Sequence, residues 1–372
     1  MAKFLNTKDT NFEAKFTDLL KKRDQYDQKI DKTVKQIINS VKKDPNRSVI
    51  KFTNKFDKLA VKKIDELIVS KGELDKAYNL TRKDIKSSLL TAISRIKSYH
   101  KKQQPINTMY KDKEGVLLGG LWNPLESVGL YVPGGTAAYP SSLIMNAVPA
   151  IVAGVGRIVV TVPATNGTVN PLVLACCKIL KISEIYKIGG AQAIAALALG
   201  TESIKKVDKI FGPGNAYVAS AKKQFFGSVG IDMIAGPSEI LVVADSKNNP
   251  DHIAIDLLSQ AEHDKLAQSI LLTDCEKFAK KVSNSIEKYL CELTRKEIAK
   301  ESWINYGAVI ICNDLFNSMD IVNKIAPEHL EIAVDKPKRF LKKIKNAGAI
   351  FLGRFTPEAI GDYVAGPNHV LP

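Results

Sequence analysis

The sequence predicts an α/β fold built on parallel β-sheets. From about residue 115 to residue 244, short runs of β-branched and apolar residues alternate with helical patterns, and glycine-bearing turns separate them. Strand, glycine turn and helix, repeated in this order, are typical of the βαβ units that form parallel sheets. A lysine-rich helical region precedes this stretch, and a second α/β stretch follows it. A chain of 372 residues has room for two or more domains.

The N-terminal third is predicted to be helical. Residues 11–43 carry apolar side chains at helical spacing, and Asp44-Pro45-Asn46 ends the pattern. A second helical region is predicted over residues 74–104, before Pro105.

The alternating elements of the sheets follow from runs of apolar residues bounded by glycine and proline. Strands are predicted at residues 157–162, 184–188, 207–211, 239–244, 269–273, 308–312 and 349–352. Helices are predicted at residues 171–180, 191–199, 216–225 and 252–267.

The net charge of +15 and the pI near 9.4 raise the possibility of a nucleic-acid partner. The lysines, however, are spread along helix faces without interleaved aromatic residues, and arginine is scarce. This pattern predicts a solvated basic surface and no nucleic-acid site. Such a surface would still attract an anionic cofactor.

Targeting and redox signals favour the cytoplasm. The most apolar stretch, residues 142–156, contains Asn146 and Pro149 and is shorter than the ~18 residues that a membrane span needs. The charged N-terminus lacks the apolar segment of a secretory signal. Five cysteines without a C-x-x-C pair fit a reducing compartment.

Three glycine-bearing turns are predicted to follow strands. They are Val132-Pro133-Gly134-Gly135-Thr136, Gly189-Gly190-Ala191-Gln192 and Gly212-Pro213-Gly214-Asn215. In a parallel sheet such turns lie at the carboxyl ends of strands, where helix N-termini can bind phosphate. The G-x-G-x-x-G fingerprint is absent, because Tyr217 stands where its third glycine would be. On spacing alone, the turns are either ligand-binding or simply tight.

Polar clusters next to apolar runs indicate a metal or acid/base site. Asp256, Gln260 and His263 have i, i+4, i+7 spacing and would share one face of the helix predicted at residues 252–267. A histidine and an oxygen donor on one face can bind a divalent metal, although a polar helix face would have the same pattern. His252 lies one turn earlier.

Two further clusters lie nearer the C-terminus. Glu328 and His329 follow Pro327, and on a turn both side chains could reach one cavity for proton transfer. The same residues could instead start a helix. Asp362, in a glycine-bounded loop, is either a third metal ligand or part of an Asx turn.

Taken together, these segments resemble the histidinol dehydrogenase family over nearly the whole chain. The segments that carry the resemblance are FTNKFDKL (52–59), VGLYVPGG (128–135), YPSSLIMNAVPAIVAGV (139–155), IGGAQAIAALALGTESI (188–204), VDKIFGPGNAYV (207–218), IDMIAGPSEILVVAD (231–245), DLLSQAEHD (256–264), IAPEHLEI (325–332), NAGAIFLG (346–353) and GDYVAGPNHVLP (361–372).

The resemblance implies a zinc-dependent homodimer that oxidises L-histidinol to L-histidine in two steps through an aldehyde, reducing two NAD. Glu328 and His329 match the acid/base pair. Gln260, His263 and Asp362 match zinc ligands, and the substrate contacts are these three residues with Ser238 and His329. Tyr131, Gln192 and Asn215 match NAD contacts. His329 would remove the hydroxyl proton and Glu328 would activate water, while Asp256 and His252 would be structural.

The resemblance also implies a domain plan of two incomplete, atypical Rossmann-like domains. Residues 1–28 would form an N-terminal helical arm, residues 131–236 the NAD-binding domain, and residues 29–130 with 237–372 the domain carrying the metal, substrate and acid/base residues.

The family normally continues for several dozen residues beyond Pro372. By resemblance, that tail reaches the partner subunit with a fourth zinc ligand, a histidine, and a substrate-binding glutamate. His369 is the nearest histidine that could compensate. The sequence therefore leaves two hypotheses, an active dehydrogenase or a catalytically impaired or non-catalytic relative with the same fold. Intact Glu328 and His329 favour the first.

Overall fold

The computed structural model describes residues 2–21, 28–134, 140–234, 236–361 and 364–368. The helices are α1 (Phe12–Lys21), α2 (Gln28–Lys43), α3 (Pro45–Asp57), α4 (Lys71–Leu80), α5 (Lys83–Lys101), α6 (Pro140–Ala153), α7 (Pro171–Ile179), α8 (Gly190–Leu199), α9 (Ala216–Phe225), α10 (Pro250–Ala261), α11 (Glu276–Leu290), α12 (Lys296–Tyr306) and α13 (Met319–Ile325). The strands are β1 (Lys3–Asn6), β2 (Thr108–Lys111), β3 (Leu117–Gly120), β4 (Ser127–Tyr131), β5 (Arg157–Thr161), β6 (Glu184–Tyr186), β7 (Lys209–Phe211), β8 (Gly230–Ile231), β9 (Glu239–Ala244), β10 (Gln268–Thr273), β11 (Ala308–Ile311), β12 (His329–Ala333) and β13 (Ala349–Leu352).

The chain forms two compact units. The first unit contains the described residues within 1–26 and 236–362, and the second contains those within 27–235 and 363–370. The two units also contain short 3-10 helices, at Ile64–Leu67, Thr165–Gly167, Pro337–Lys342 and Glu358–Ile360.

The first unit is built on a parallel sheet in the order β1-β11-β10-β9-β12-β13. Its central strands are mostly apolar because both faces are covered. Leu241 and Val243 of β9 join a core with α1 and α13, whereas Ile240 and Val242 join a core with α10, α11 and α12.

The second unit is built on a parallel sheet in the order β6-β5-β4-β7-β8. One face is covered by α2, α3, α8 and α9, and the other by α4, α5, α6 and α7. Adjacent residues of β4 alternate between the two cores, Leu130 in one and Tyr131 in the other.

Both sheets share one topology. In the second unit, β4 lies inside the sheet, with β5 and β6 on one side and β7 and β8 on the other. In the first unit, β9 lies inside the sheet, with β10, β11 and the edge strand β1 on one side and β12 and β13 on the other. This reversal is the mark of a doubly wound Rossmann-like sheet. The predicted fold class of two parallel-sheet α/β domains is therefore confirmed.

The unit boundaries differ from the expected domain plan. Residues 28–130 lie in the second unit with residues 140–234, because α2 packs on α8 and α9, and α4 packs on α7. The N-terminal segment is also more than a helical arm. Its strand β1 pairs with β11 as an edge of the first sheet.

Two local predictions were wrong. The helix expected at residues 252–267 ends at Ala261, where Glu262 caps it and a turn leads into β10. Residues 327–329 do not start a helix, and only Glu328 lies in a bend, since His329 is already the first residue of the buried strand β12. Among the described residues, no helix has the length and apolarity needed to cross a membrane.

An antiparallel hairpin of β2 and β3 stands apart from both sheets. All its strand residues are exposed, including Met109, Tyr110 and Leu117, and Trp122 just beyond it is 64% exposed. A two-stranded hairpin is marginally stable alone, so this apolar surface is a candidate for contact with another chain.

Candidate active site

The predicted site residues fall into two groups, one in each unit. Ser238, Gln260, His263, Glu328 and His329 belong to the first unit, and Tyr131, Gln192 and Asn215 to the second. Asp362 and His369 lie outside the described residues.

In the first unit, the group lies at the amino-terminal ends of neighbouring strands. Ser238 directly precedes β9, His329 begins β12, and the register places His329 beside Ile240. The backbone carbonyl of Ser238 accepts a hydrogen bond from the N–H of Gln268, at the start of β10. The sheet therefore brings Ser238 and the acid/base pair to one edge.

His329 is buried and held in one orientation. Its Nδ1 lies 3.0 Å from the backbone carbonyl oxygen of Glu239, to which it donates. A carbonyl only accepts, so Nδ1 carries the proton in the neutral ring and Nε2 carries the lone pair. This tautomer makes Nε2 the basic nitrogen, and Nε2 lies 3.6 Å from Oε1 of Glu358.

Glu328 is partly exposed beside the imidazole. Its Oε2 accepts a hydrogen bond from the backbone N–H of Glu239 at 3.2 Å and lies 3.7 Å from Nδ1 of His329. The carboxylate is thus anchored near the base but retains contact with solvent, as a residue that activates water requires.

Gln260 and His263 do not share a helix face. Gln260 is buried in the last turn of α10, while His263 lies after the end of that helix and is exposed. His263 Nδ1 lies 2.9 Å from the carbonyl oxygen of Ser259, which leaves Nε2 as the nitrogen able to bind a metal. The helical-face argument was wrong, although both residues remain near the end of α10.

Three carboxyl groups near His329 were not predicted to be functional: Glu331 and Glu358, which are buried, and Asp256, which is half-buried. Glu331 lies on the same face of β12 as His329, because side chains alternate along a strand. Its carboxyl group shares a hydrogen bond with Asp256 of α10 and accepts the backbone N–H of Glu358. A glutamate between apolar neighbours in a buried strand was the sequence signal for this cluster.

The ionisation of this cluster is strongly shifted. Burial, and then the negative charge of Asp256, raise the pKa of Glu331 to about 9. Burial also raises the pKa of Asp256 to about 6, against the opposing effect of its hydrogen bond with Glu331. Like-charged carboxyl groups in one buried site retain a proton, so Glu331 is the protonated member at neutral pH.

The donor set expected for zinc is only partly described. Gln260 and His263 supply an amide oxygen and an imidazole, a combination that a divalent metal accepts. Within the described ranges, no group of three histidine, cysteine, aspartate or glutamate side chains is arranged to hold a metal ion. Asp362, the third expected ligand, follows the 3-10 helix Glu358–Ile360, which packs on α10 and β12.

In the second unit, the glycine turns lie at the carboxyl ends of parallel strands. The turn at Gly189 follows β6, and the turn at Gly212 follows β7. The strand order reverses between β4 and β7, and ligands of such sheets bind outside the carboxyl ends at this reversal.

Tyr131 ends β4 and reaches the turn before α8. Its hydroxyl oxygen accepts a hydrogen bond from the N–H of Gly190 at 3.1 Å, and burial raises its pKa to about 12. The hydroxyl therefore keeps its proton and can donate it to a ligand. Gly190 has φ +66°, a left-handed conformation that favours glycine. Asp57 accepts the N–H of Gly189 on the other side of this turn.

Gln192 carries the clearest sign of an incomplete site. Its side chain is 1% exposed, and neither Oε1 nor Nε2 has a hydrogen-bond partner among the described residues. A buried amide without partners costs about 1–3 kcal/mol. A polar ligand at the N-terminus of α8 would recover that energy.

A buried ion pair holds the turn after β7. Nζ of Lys222 lies 2.5 Å from Oδ1 of Asp232 and donates to the carbonyl oxygen of Gly212 at 2.8 Å. Oδ2 of Asp232 accepts the N–H of Gly212. Gly212 has φ +115°, and a Cβ there would lie 2.1 Å from the carbonyl oxygen of Tyr131, so the turn admits only glycine.

Asn215 closes the same turn as the N-cap of α9. Its Oδ1 accepts hydrogen bonds from the backbone N–H groups of Tyr217 and Val218, at 3.1 and 3.2 Å. The residue is exposed, so its amide nitrogen can still contact a ligand.

Comparison with known proteins identifies relatives across the whole chain. A family model described as histidinol dehydrogenase matches residues 20–372. The histidinol dehydrogenase of Brucella abortus is 50% identical, covering 100% of this chain and 86% of that protein. That of Mesorhizobium japonicum is 52% identical with the same coverage. The crystal structure of the enzyme from Elizabethkingia anophelis matches with a TM-score of 0.94 at 36% identity, covering 100% of this chain and 84% of that chain.

Proposed function

The chain belongs to the histidinol dehydrogenase family of oxidoreductases, and on this premise we propose that it oxidises L-histidinol to L-histidine in two NAD-dependent steps. Histidine biosynthesis in the cytoplasm is the setting that we infer, in line with its five free thiols. The observation that carries the proposal is the fixed tautomer of His329, with Nε2 as base and Glu328 beside the ring.

The two acid/base residues would act in sequence. Nε2 of His329 accepts the proton of the substrate hydroxyl in the first oxidation. Glu328 then takes a proton from water, so that the hydrate of the aldehyde can form and be oxidised. Proton transfer by a positioned side chain typically contributes about 10²–10⁴-fold to a rate.

Zinc and NAD would be held by separate groups of residues. When bound, zinc would orient the substrate and NAD would accept hydride. We assign zinc to Gln260, His263 and Asp362, and substrate to these residues with Ser238 and His329. We assign NAD to Tyr131, Gln192 and Asn215. Two observations support this: the buried amide of Gln192 has no hydrogen-bond partner in the part of the chain that the structure describes, and the strand order reverses nearby.

The decisive measurement is NADH formation from histidinol by the full chain, with zinc removed by a chelator and then restored. Activity that depends on zinc supports the proposal. No NADH at saturating zinc would instead support the catalytically impaired relative.

Two substitutions separate the acid/base roles. We expect His329→Asn to abolish NADH formation from both histidinol and the aldehyde, whereas Glu328→Gln should retain the first oxidation and lose the second. His100→Asn on α5 of the second unit is the matched control and should leave both rates unchanged. Equal loss of both steps in Glu328→Gln would refute this division of roles.

The NAD assignment can be tested at the helix cap. Asn215→Ser keeps a side-chain oxygen for the cap of α9 but removes the amide nitrogen. We expect unchanged thermal stability and weaker NAD binding by calorimetry. Unchanged NAD affinity would remove Asn215 from the cofactor site.

We further propose a homodimer that uses the exposed hairpin. Leu117→Lys on β3 should shift the mass measured by light scattering towards the monomer. Leu80→Lys, at the exposed end of α4, replaces a leucine that is at least as exposed and should leave the mass unchanged. A dimer that survives Leu117→Lys would exclude the hairpin as the contact.

A further inference from the structure

The proposed base is flanked by a carboxylate to which no role has been assigned. Glu358 begins the 3-10 helix Glu358–Ile360, is only 2% exposed, and places Oε1 at 3.6 Å from Nε2 of His329. Burying an ionisable side chain is costly, so a buried carboxyl group beside this imidazole calls for a physical reason.

We propose that Glu358 is the positioning residue of His329: its carboxylate faces Nε2 and stabilises the imidazolium that forms when Nε2 accepts the substrate hydroxyl proton. The inference deepens the proposed function, because it concerns the same base.

The hydrogen bonds of His329 support this assignment. Nδ1 is committed to the carbonyl oxygen of Glu239, so a proton taken up by the ring must reside on Nε2. The positive charge that results is delocalised over the ring. Oε1 of Glu358 is at ion-pair distance from Nε2, the nitrogen that receives the proton. An opposite charge at about 4 Å favours the charged form of a histidine and thus makes it a stronger base.

The neighbouring acid pair holds Glu358 in place. The carboxyl group of Glu331 accepts the backbone N–H of Glu358 and shares a hydrogen bond with Asp256. Glu331 therefore connects β12, which carries His329, to the helix that carries Glu358 and to α10.

The same pair limits the negative charge around Glu358. Since Glu331 stays protonated at neutral pH, only Asp256 of this pair adds negative charge. The pair therefore opposes a negative charge on Glu358 less than two ionised carboxylates would.

The charged and titratable groups around His329 come from several elements. Glu328 precedes β12, Glu331 lies on it, Asp256 and His252 lie on α10, and Glu358 begins the 3-10 helix. From β9 the ring meets a backbone carbonyl, and from β13 it meets the ring of Phe351, with centroids 6.3 Å apart. Among the carboxylates of the described residues, Glu358 is the one at ion-pair distance from the basic nitrogen.

The test is an NMR titration of His329 in the full chain, without added zinc, NAD or substrate. The chain has five histidines, so labelled imidazole signals can be assigned with His329→Gln. We expect Glu358→Gln to lower the pKa of His329 by about one unit or more, which is a tenfold change in its proton affinity.

A matched control removes a neutral group from the same cluster. Glu331→Gln replaces a protonated carboxyl with an amide of the same shape, so the pKa of His329 should stay within about 0.3 units. Glu358→Asp keeps the charge and should retain a pKa between those of the parent protein and Glu358→Gln.

Two results would overturn the proposal. One is a pKa of His329 that is unchanged or higher in Glu358→Gln. The other is an equal fall in Glu331→Gln, which would mean that general disturbance of the cluster caused the effect.

Kinetics provide a second measurement. In Glu358→Gln the plateau kcat for histidinol should fall while KM stays constant, and the acid limb of kcat should move to lower pH, because the base has a lower pKa. If the parent protein does not oxidise histidinol at all, the proposed function is refuted. The NMR titration still decides the role of Glu358, because it requires no catalytic activity.

Discussion

Replacing Glu331 by glutamine should stabilise the first unit relative to the parent protein, and the difference should grow as the pH rises. Glu331 has a pKa of about 9 in the folded chain, against an ordinary value of 4.5. A carboxyl group whose pKa is raised by folding binds its proton more tightly when folded. Its contribution to stability is therefore fully present below pH 4.5 and is lost as the pH rises towards 9. An amide at this position has no proton to lose.

The size of the effect follows from the pKa difference. Each pH unit between the two pKa values costs the parent protein ~1.4 kcal/mol of unfolding free energy, so the interval from about pH 5 to about pH 8 costs about 4 kcal/mol. This is an upper limit, because Asp256 shares the charge of the pair. We expect Glu331→Gln to resemble the parent at about pH 5 and to exceed its stability by up to that amount at about pH 8.

The assay is urea unfolding followed by the fluorescence of Trp303, which is buried in the first unit. The chain has two tryptophans, and a Trp122→Phe background removes the signal from the hairpin. Glu276→Gln is the control: on the exposed face of α11, its hydrogen bond with Lys280 lowers the pKa of the carboxyl group, so any small effect has the opposite pH dependence. A stability difference for Glu331→Gln that does not grow with pH would refute the reasoning.

Three further predictions concern groups away from the base. Lys222→Met removes the cation that pairs with the buried carboxylate of Asp232. It should lower the unfolding free energy of the second unit by about 3–5 kcal/mol, measured by circular dichroism in urea. Gly212→Ala brings a methyl group against the carbonyl of Tyr131, and a strain of about 1–3 kcal/mol should weaken NAD binding by about tenfold or more, measured by calorimetry. Cys291 is exposed and should react at once with a thiol reagent, whereas Cys176, whose pKa burial raises to about 12, should react only after denaturation.

The sequence predicted the middle of the chain well, because its signals are local. Strand β5 and helices α7, α8 and α9 each follow a continuous apolar or helical run with glycine or proline at one end or both. Such runs are recognisable without knowing which strands become neighbours.

The elements that the sequence did not reveal depend on distant contacts. Strand β1 has only four residues, and its pairing with β11 makes it a strand. Strand β12 contains His329 and Glu331, which break the apolar pattern of a buried strand. Only the tertiary arrangement shows that Asp256 and Glu358 accommodate them.

The sequence likewise identified some residues of the candidate site and missed others. Motifs identified His329, Glu328 and Gln192 as candidates, because each lies in a short segment with a recognisable residue pattern. Glu358 was missed because it lies far from His329 in sequence, within a segment that has no motif of its own. Its closeness to the imidazole arises from how the last 3-10 helix packs on β12.

The pairing of β1 with β11 has a consequence for how the protein emerges from the ribosome. Synthesis delivers Lys3–Asn6 well before Ala308–Ile311, the strand with which they pair. Nearly all of the second unit lies between them, within residues 27–235, and can fold while translation continues. Strand β1 and the apolar face of α1 remain without their partners during that interval. Nascent chains stalled before residue 308 should therefore be the ones that recruit chaperones.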